Sequence, residues 1–271
     1  MSDHLEIELE HVLPKNEVET PVHVEYGQLG SGTKIFAAIP EESHGLGLVF
    51  HPDIFGLTPQ VDDTIFQIAA RGVPTIAVEP FTRLEKNGAR SELDENGNIP
   101  REEKMQRVNE MDDIEQCADL LAAAQILRSQ HTCKKVALIG FCIGGMYSFK
   151  AAGVGLFDAV VSCYGMITLP SLWEGKGQRQ PLDYLMMESV SPILAIVGGQ
   201  DSYAGENDLL KLKEVFDSPL HMGLGSEIQI YENAGHAFMH DPKRDSFRYD
   251  DSKSAWELAF QFIAEKTSLQ I

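Results

Sequence analysis

The stretch Lys135-Val136-Ala137-Leu138-Ile139-Gly140-Phe141-Cys142-Ile143-Gly144-Gly145-Met146-Tyr147 decides how the chain is read. Its apolar run has the length and character of a buried strand. It closes on Gly-Phe-Cys-Ile-Gly-Gly, and helix formers follow over 146–152. The pattern is strand, sharp turn, helix, with a thiol at the apex, which is the form of a nucleophile elbow carrying Cys instead of Ser. Gly140 and Gly144 flank Cys142 where a side chain would clash with the neighbouring strand or helix, and small neighbours make a strained nucleophile backbone tolerable. The helix that starts here points its positive end at the sulfur, which favours thiolate.

Outward from the elbow, strand and helix patterns alternate. Upstream, 22–26 and 34–40 alternate as strands joined by Leu29-Gly30-Ser31-Gly32, a hairpin link. The run 45–50 is a buried strand that opens into His51-Pro52-Asp53-Ile54-Phe55-Gly56, and 62–70 has helical spacing ending at Arg71-Gly72. A buried strand over 73–78 leads to Glu79-Pro80-Phe81-Thr82-Arg83, then to a long polar loop over 84–101. The spacing predicts a helix over 103–130 in one or two pieces, with Ile114, Cys117, Ala118, Leu121 and Gln125 on one face and Cys117 in the core. Downstream come a strand over 158–165, an irregular segment over 166–189, a strand over 192–199 ending at Gln200-Asp201, a helix over 206–216, a strand over 227–231 ending at Asn233-Ala234-Gly235-His236, and a helix over 252–265.

Continuously apolar strands alternating with helices are the signature of a mostly parallel α/β sheet covered on both faces. No break in composition and no internal repeat divides residues 1–271, so one α/β domain is expected, with an N-terminal arm over 1–21.

The net charge of -19 over 271 residues argues against nucleic acid and anionic membrane surfaces as partners. The beginning Met1-Ser2-Asp3-His4-Leu5-Glu6 has neither a basic start nor an apolar run, so no signal peptide is expected, and no stretch nears the ~20 apolar residues that span a bilayer. Cys117, Cys133, Cys142 and Cys163 show neither a CxxC pair nor zinc-like spacing; reduced thiols in the cytoplasm are expected, with no metal and no cofactor.

Three strand ends carry a residue with catalytic chemistry, in the order Cys142, Asp201, His236. Sites in open α/β sheets form at the carboxyl ends of strands. Nucleophile, acid, His is the chain order of α/β-hydrolases. A thiolate attacks, an imidazole takes and returns a proton near neutral pH, and a carboxylate holds that imidazole in one tautomer. Asp208 and Asp217 lie in or at the end of a helix, and His221 reads as a loop residue with no strand before it.

Over about 45–240, the chain resembles the dienelactone hydrolase family of α/β-hydrolases. The resemblance is carried by Gly140-Phe141-Cys142-Ile143-Gly144-Gly145, Asp53-Ile54-Phe55-Gly56, Gly198-Gly199-Gln200-Asp201 and Gly235-His236-Ala237-Phe238. It implies a triad of Cys142, His236 and Asp201 and an oxyanion hole from the backbone N–H groups of Ile54 and Ile143. The carboxylate that contacts the resting thiol is usually Glu in the family and is Asp53 here, one methylene shorter. Two arginines hold the substrate carboxylate. Arg83 matches the first; His240 stands at the second position, with Arg244 four residues further on. Tyr164 is counted with Arg83 and His240 as substrate-binding. The implied reaction is hydrolysis of an ester or enol-lactone through an acyl-thioester, the substrate being a small molecule that is anionic if the clamp operates. The alternatives are an esterase or thioesterase on a different small acyl substrate, charged or uncharged, a redox-sensing or binding protein that uses Cys142 without turnover, and a nonenzymatic hydrolase-like scaffold.

Overall fold

A computed structural model describes residues 12–14, 19–86 and 100–271. The chain runs β1 (Val22–Gln28), β2 (Lys34–Pro40), β3 (Leu46–His51), α1 (Pro59–Ala69), β4 (Thr75–Val78), α2 (Thr82–Lys86), α3 (Arg101–Arg107) and α4 (Asp113–Gln130). It continues β5 (Lys135–Phe141), α5 (Ile143–Ala152), β6 (Ala159–Cys163), α6 (Pro181–Leu185), β7 (Ile193–Gly198), α7 (Glu206–Phe216), α8 (Pro219–Leu224), β8 (Glu227–Tyr231) and α9 (Tyr249–Thr267). Eight strands among the described residues form one sheet in the order β1-β2-β4-β3-β5-β6-β7-β8. β1 and β4 each pair with β2 antiparallel, and every other pairing is parallel.

The register explains the composition. β3, β4, β6 and β7 are buried along their whole length, and β5 along all but Lys135, because helices cover both faces of a parallel sheet. The hairpin edge β1 is the more exposed strand, open to solvent along most of its length. α1 packs on β2 and β4, α9 on β6 and β7, while α4 and α5 pack on each other beside β3 and β5. No helix among the described residues is long and apolar enough to cross a membrane.

Local chemistry sets the helix ends. α1 begins three residues earlier than its apolar spacing suggests, since Thr58 accepts a hydrogen bond from the Val61 amide and Pro59 takes the first helical position. The helical stretch over 103–130 is broken: α3 passes into a short 3-10 turn, and Asp112 then caps α4 by accepting from the Ile114 and Glu115 amides. The face that α4 buries differs from the expected one. Ile114 is 78% exposed, while Gln116, Cys117, Asp119, Leu120 and Leu127 point inward. Counting apolar residues misplaces this face because three of its inward positions are polar and find partners: Asp113 pairs with Lys150, Gln116 Nε2 donates to the Pro80 carbonyl, and Asp119 accepts from Ser31 and Thr33. His221 is likewise not in a loop. It lies buried in α8 between Ser226 Oγ and the Leu185 carbonyl, its ring stacked on Phe216. The expected arm over 1–21 and loop over 84–101 fall largely outside the described residues; α2 occupies the start of the latter, and Val12 and Leu13 are buried.

The elbow helix α5 is anchored from its far end. Lys150 Nζ lies 2.6 Å from Asp113 Oδ1 of α4, with both side chains buried. Asp113 Oδ2 also accepts from the Arg179 amide and the Tyr184 hydroxyl. Removing one partner of a buried pair strands the other charge, so Asp113→Ala is expected to destabilise the protein by about 3–5 kcal/mol in urea unfolding. The double variant Asp113→Leu, Lys150→Met should recover most of that loss. A drop below about 1 kcal/mol for Asp113→Ala would show that this pair does not anchor the helix.

Candidate active site

The turn after β5 demands its glycines. A Cβ on Gly140 would stand 2.2 Å from the Gly144 carbonyl oxygen, and one on Gly144 would stand 2.1 Å from that of His51. With those side chains absent, β5, the start of α5 and the chain leaving β3 pack at contact distance. Cys142, between strand and helix, takes φ 55° and ψ -113°, outside the ordinary regions for a side-chain-bearing residue. Its amide donates to the Cys163 carbonyl of β6 and its own carbonyl accepts from Met146. Cys142 as a whole is 9% exposed.

Asp201 and His236 follow β7 and β8 in the same way. Asp201 Oδ1 accepts from the Tyr203 amide, and Oδ2 accepts from His236 Nδ1 at 2.8 Å. The rings of Tyr203 and Tyr164 flank the imidazole, with centroids 4.8 and 5.3 Å away. The other ring nitrogen, Nε2, has no hydrogen-bond partner among the described residues. Burial would lower the His236 pKa, but its bond to Asp201 and the neighbouring Cys142 sulfur raise it from 6.5 to about 10. The structure thus brings the three strand-end residues together. It presents an imidazole fixed on one side, with its free nitrogen beside the thiol.

The Ile54 and Ile143 amides are the two expected oxyanion donors. Ile143 opens α5, where backbone N–H groups lack intrahelical partners. Ile54 lies in a turn closed by the Gly56 amide on the Asp53 carbonyl and by the Phe55 amide on Asp53 Oδ1. Neither isoleucine amide donates to any described residue. Glu79, which accepts from the Leu57 amide, and Lys104, which donates to the Phe55 carbonyl, hold the rest of this loop.

Asp53 is placed differently from the expectation of a carboxylate on the thiol. It makes no hydrogen bond to Cys142. Its Oδ2 accepts from Arg244 at 2.7 Å and from His240 Nε2 at 3.2 Å. Burial would raise its pKa, but His240, Arg244 and the Phe55 amide together hold it well below the usual carboxylate range. On its other side His240 Nδ1 meets the Tyr164 hydroxyl. Burial pushes the Tyr164 pKa well up, so the phenol stays protonated and donates. Arg83 also stands elsewhere than expected: Nε and Nη2 fork onto Asp119, and Nη1 pairs with Glu115. Being one methylene shorter than Glu explains part of the change at Asp53; a buried Asp119 already accepting from two hydroxyls explains the draw on Arg83. Arg244, set over the Phe55 ring, was visible beforehand only as a cation four residues past His240.

A cleft of about 470 Å³ opens along Asp53, Thr58, Gln60, His240, Asp241 and Arg244; Cys142 is not among its walls. Among the described residues no cluster of three or more His, Cys, Asp or Glu side chains could hold a metal ion.

This sheet order, with a strained nucleophile-type turn after the fifth strand and Asp and His after the seventh and eighth, defines an α/β-hydrolase. The family model of the dienelactone hydrolase family matches residues 34–267, and the chain belongs to that family as a hydrolase of the dienelactone hydrolase type. It is 26% identical over 237 residues to a Bradyrhizobium sp. protein named a probable 2-oxo-3-(5-oxofuran-2-ylidene)propanoate lactonase, covering 86% of this chain and 89% of the relative. It is 27% identical over 193 residues to carboxymethylenebutenolidase of Pseudomonas putida, covering 70% and 74% of the two chains. In fold it is similar to a Klebsiella pneumoniae protein provisionally named a dienelactone hydrolase, with a TM-score of 0.70 at 20% identity over 90% of this chain and 99% of that one.

The raised His236 pKa makes stability depend on pH. Between 6.5 and about 10 the native state binds a proton that the unfolded chain has released, so stability falls as pH rises. The imidazolium contribution is fully present below 6.5 and lost on passing about 10. The urea-unfolding difference between the parent and His236→Gln should therefore shrink across that window. A difference that stays constant with pH would show that the native site does not retain the proton.

Proposed function

We propose that Cys142 is the nucleophile of an ester or lactone hydrolase, with His236 as general base and acid and Asp201 as its orienting carboxylate. The observation that carries this reading is the His236 imidazole, held by Asp201 at Nδ1 and with the Cys142 sulfur as its other neighbour. The Cys142 thiolate attacks the carbonyl carbon, and the carbonyl electron pair moves to oxygen, which the Ile54 and Ile143 amides receive. Collapse breaks the bond to the leaving oxygen, which takes the proton from His236. Water then gives a proton to His236 and attacks the thioester, releasing the acid and restoring the thiol.

The acyl part of the substrate is read as uncharged. Arg83 is committed to Asp119 and Glu115, Arg244 to Asp53, and His240 is bonded at both ring nitrogens, so the groups expected to clamp a carboxylate are already engaged. A small neutral ester or lactone fits this site better than the carboxylate-bearing lactones after which the relatives are named. None of the four cysteines is in a disulfide, which suits the reducing cytoplasm.

Cys142→Ala should abolish turnover of p-nitrophenyl acetate while the fold persists, and alanine at Cys117, Cys133 or Cys163 should preserve it. Full activity in the Cys142→Ala protein would refute the mechanism. A pair of p-nitrophenyl esters, one neutral and one with a free carboxylate on the acyl chain, tests the substrate reading. The neutral ester should have the higher kcat/KM, and Arg83→Ala should change both alike through loss of its bonds to Asp119. A selective loss on the charged ester, of about 2 kcal/mol or more, would make Arg83 an anion anchor after all.

A further inference from the structure

One imidazole touches the neighbours of both halves of the reacting centre. The His240 ring packs on Phe141, the residue before Cys142, with centroids 4.9 Å apart. Its Nε2 grips Asp53, the residue before Ile54, whose other oxygen closes the turn on the Phe55 amide. Its Nδ1 takes the Tyr164 hydroxyl, and Tyr164 follows Cys163, whose carbonyl receives the Cys142 amide. We propose that His240 is a positioning residue that sets the Ile54 amide against the Cys142–Ile143 elbow, acting through Asp53. This rests on the reading of Cys142 as nucleophile.

The chemistry of the contact requires histidine. The chain of bonds runs one way, from the Tyr164 O–H to His240 Nδ1, and from His240 Nε2–H to Asp53. A neutral imidazole both accepts and donates, so it links a phenol to a carboxylate without a charge of its own. An arginine here could donate to Asp53 but could not accept from Tyr164. The side chain is 6% exposed and its ring is held between Phe141 and Tyr164, whereas the Arg244 side chain, the other partner of Asp53 Oδ2, is 24% exposed. The rigid partner sets geometry; the more open one supplies charge. An amide held on target before the negative charge develops stabilises the transition state with no reorganisation, and a shift of a fraction of an ångström weakens that effect.

The role can be separated from a direct effect on the thiol. Iodoacetamide alkylates Cys142 by displacing iodide and builds no oxyanion. Trifluoroacetone adds to the same thiol reversibly and does build one. His240→Leu is expected to lower kcat on p-nitrophenyl acetate by roughly tenfold to a hundredfold with KM little changed, and to weaken trifluoroacetone binding in parallel. The alkylation rate of Cys142 should stay within about twofold of the parent, and His240→Gln, which keeps an acceptor and a donor, should recover part of kcat. Tyr164→Phe removes a single hydroxyl and should show a smaller loss of the same pattern, which keeps the test open if His240→Leu fails to fold. Unchanged kcat in these variants would overturn the proposal, as would alkylation falling as far as kcat, since His240 would then act on the thiol. Failure of the underlying reading is separate: it would show as turnover surviving Cys142→Ala, whatever His240 does.

Discussion

The close crossing of three backbone segments at Gly140, Gly144 and His51 is the constraint on which the site depends. With carbonyl oxygens about where two Cβ atoms would stand, β5 cannot enter α5 except through a turn lined by glycine. That turn forces Cys142 to a positive φ and leaves the Ile143 amide free at the helix start. It also draws the chain leaving β3 against α5, where the His51 and Pro52 carbonyls meet Gly144 just ahead of the Ile54 turn. Steric exclusion at two positions therefore sets the Cys142 turn and the start of α5 together. The strain at Cys142 is sustained by what surrounds it: fully buried strands on either side, and a helix pinned at its far end by Lys150 and Asp113.

Electrostatics in a chain of net charge -19 makes the second layer of the design. Buried carboxylates are costly unless matched, and here each that bears on the site has defined partners. Asp201 is spent on His236, Asp53 on His240 and Arg244, and Asp119 on Arg83 with two hydroxyls. The effect on Arg83 is decisive. A cation that reads as a substrate anchor by position becomes a brace between α2 and α4. The effect on His240 is comparable, because a ring bonded at both nitrogens is a strut between Tyr164 and Asp53. What remains is a thiol, an imidazole and two amides that bond to no described residue, near a cleft in which Asp53 and Arg244 are paired with each other.

Much of this molecule was legible in the residues alone. Apolar runs separated by helical spacing determine a mostly parallel sheet, since only helices on both faces can bury strands that have no polar side. Strand ends follow from the same runs, so Cys142, Asp201 and His236 could be placed on one edge of the sheet without coordinates. Glycines at 140 and 144 announced the elbow because close packing is a local demand. Tertiary structure alone decided which polar residue meets which. The inward face of α4 depends on partners for Gln116 and Asp119 supplied by distant segments, which is why Ile114 turns outward. Asp53 finds His240 across 187 residues. Hydrophobic periodicity is written within a window of a dozen residues, whereas a hydrogen bond or ion pair is settled only when two remote segments arrive side by side. The elements and their order therefore belong to the sequence, and the pairing of charges at the site belongs to the fold.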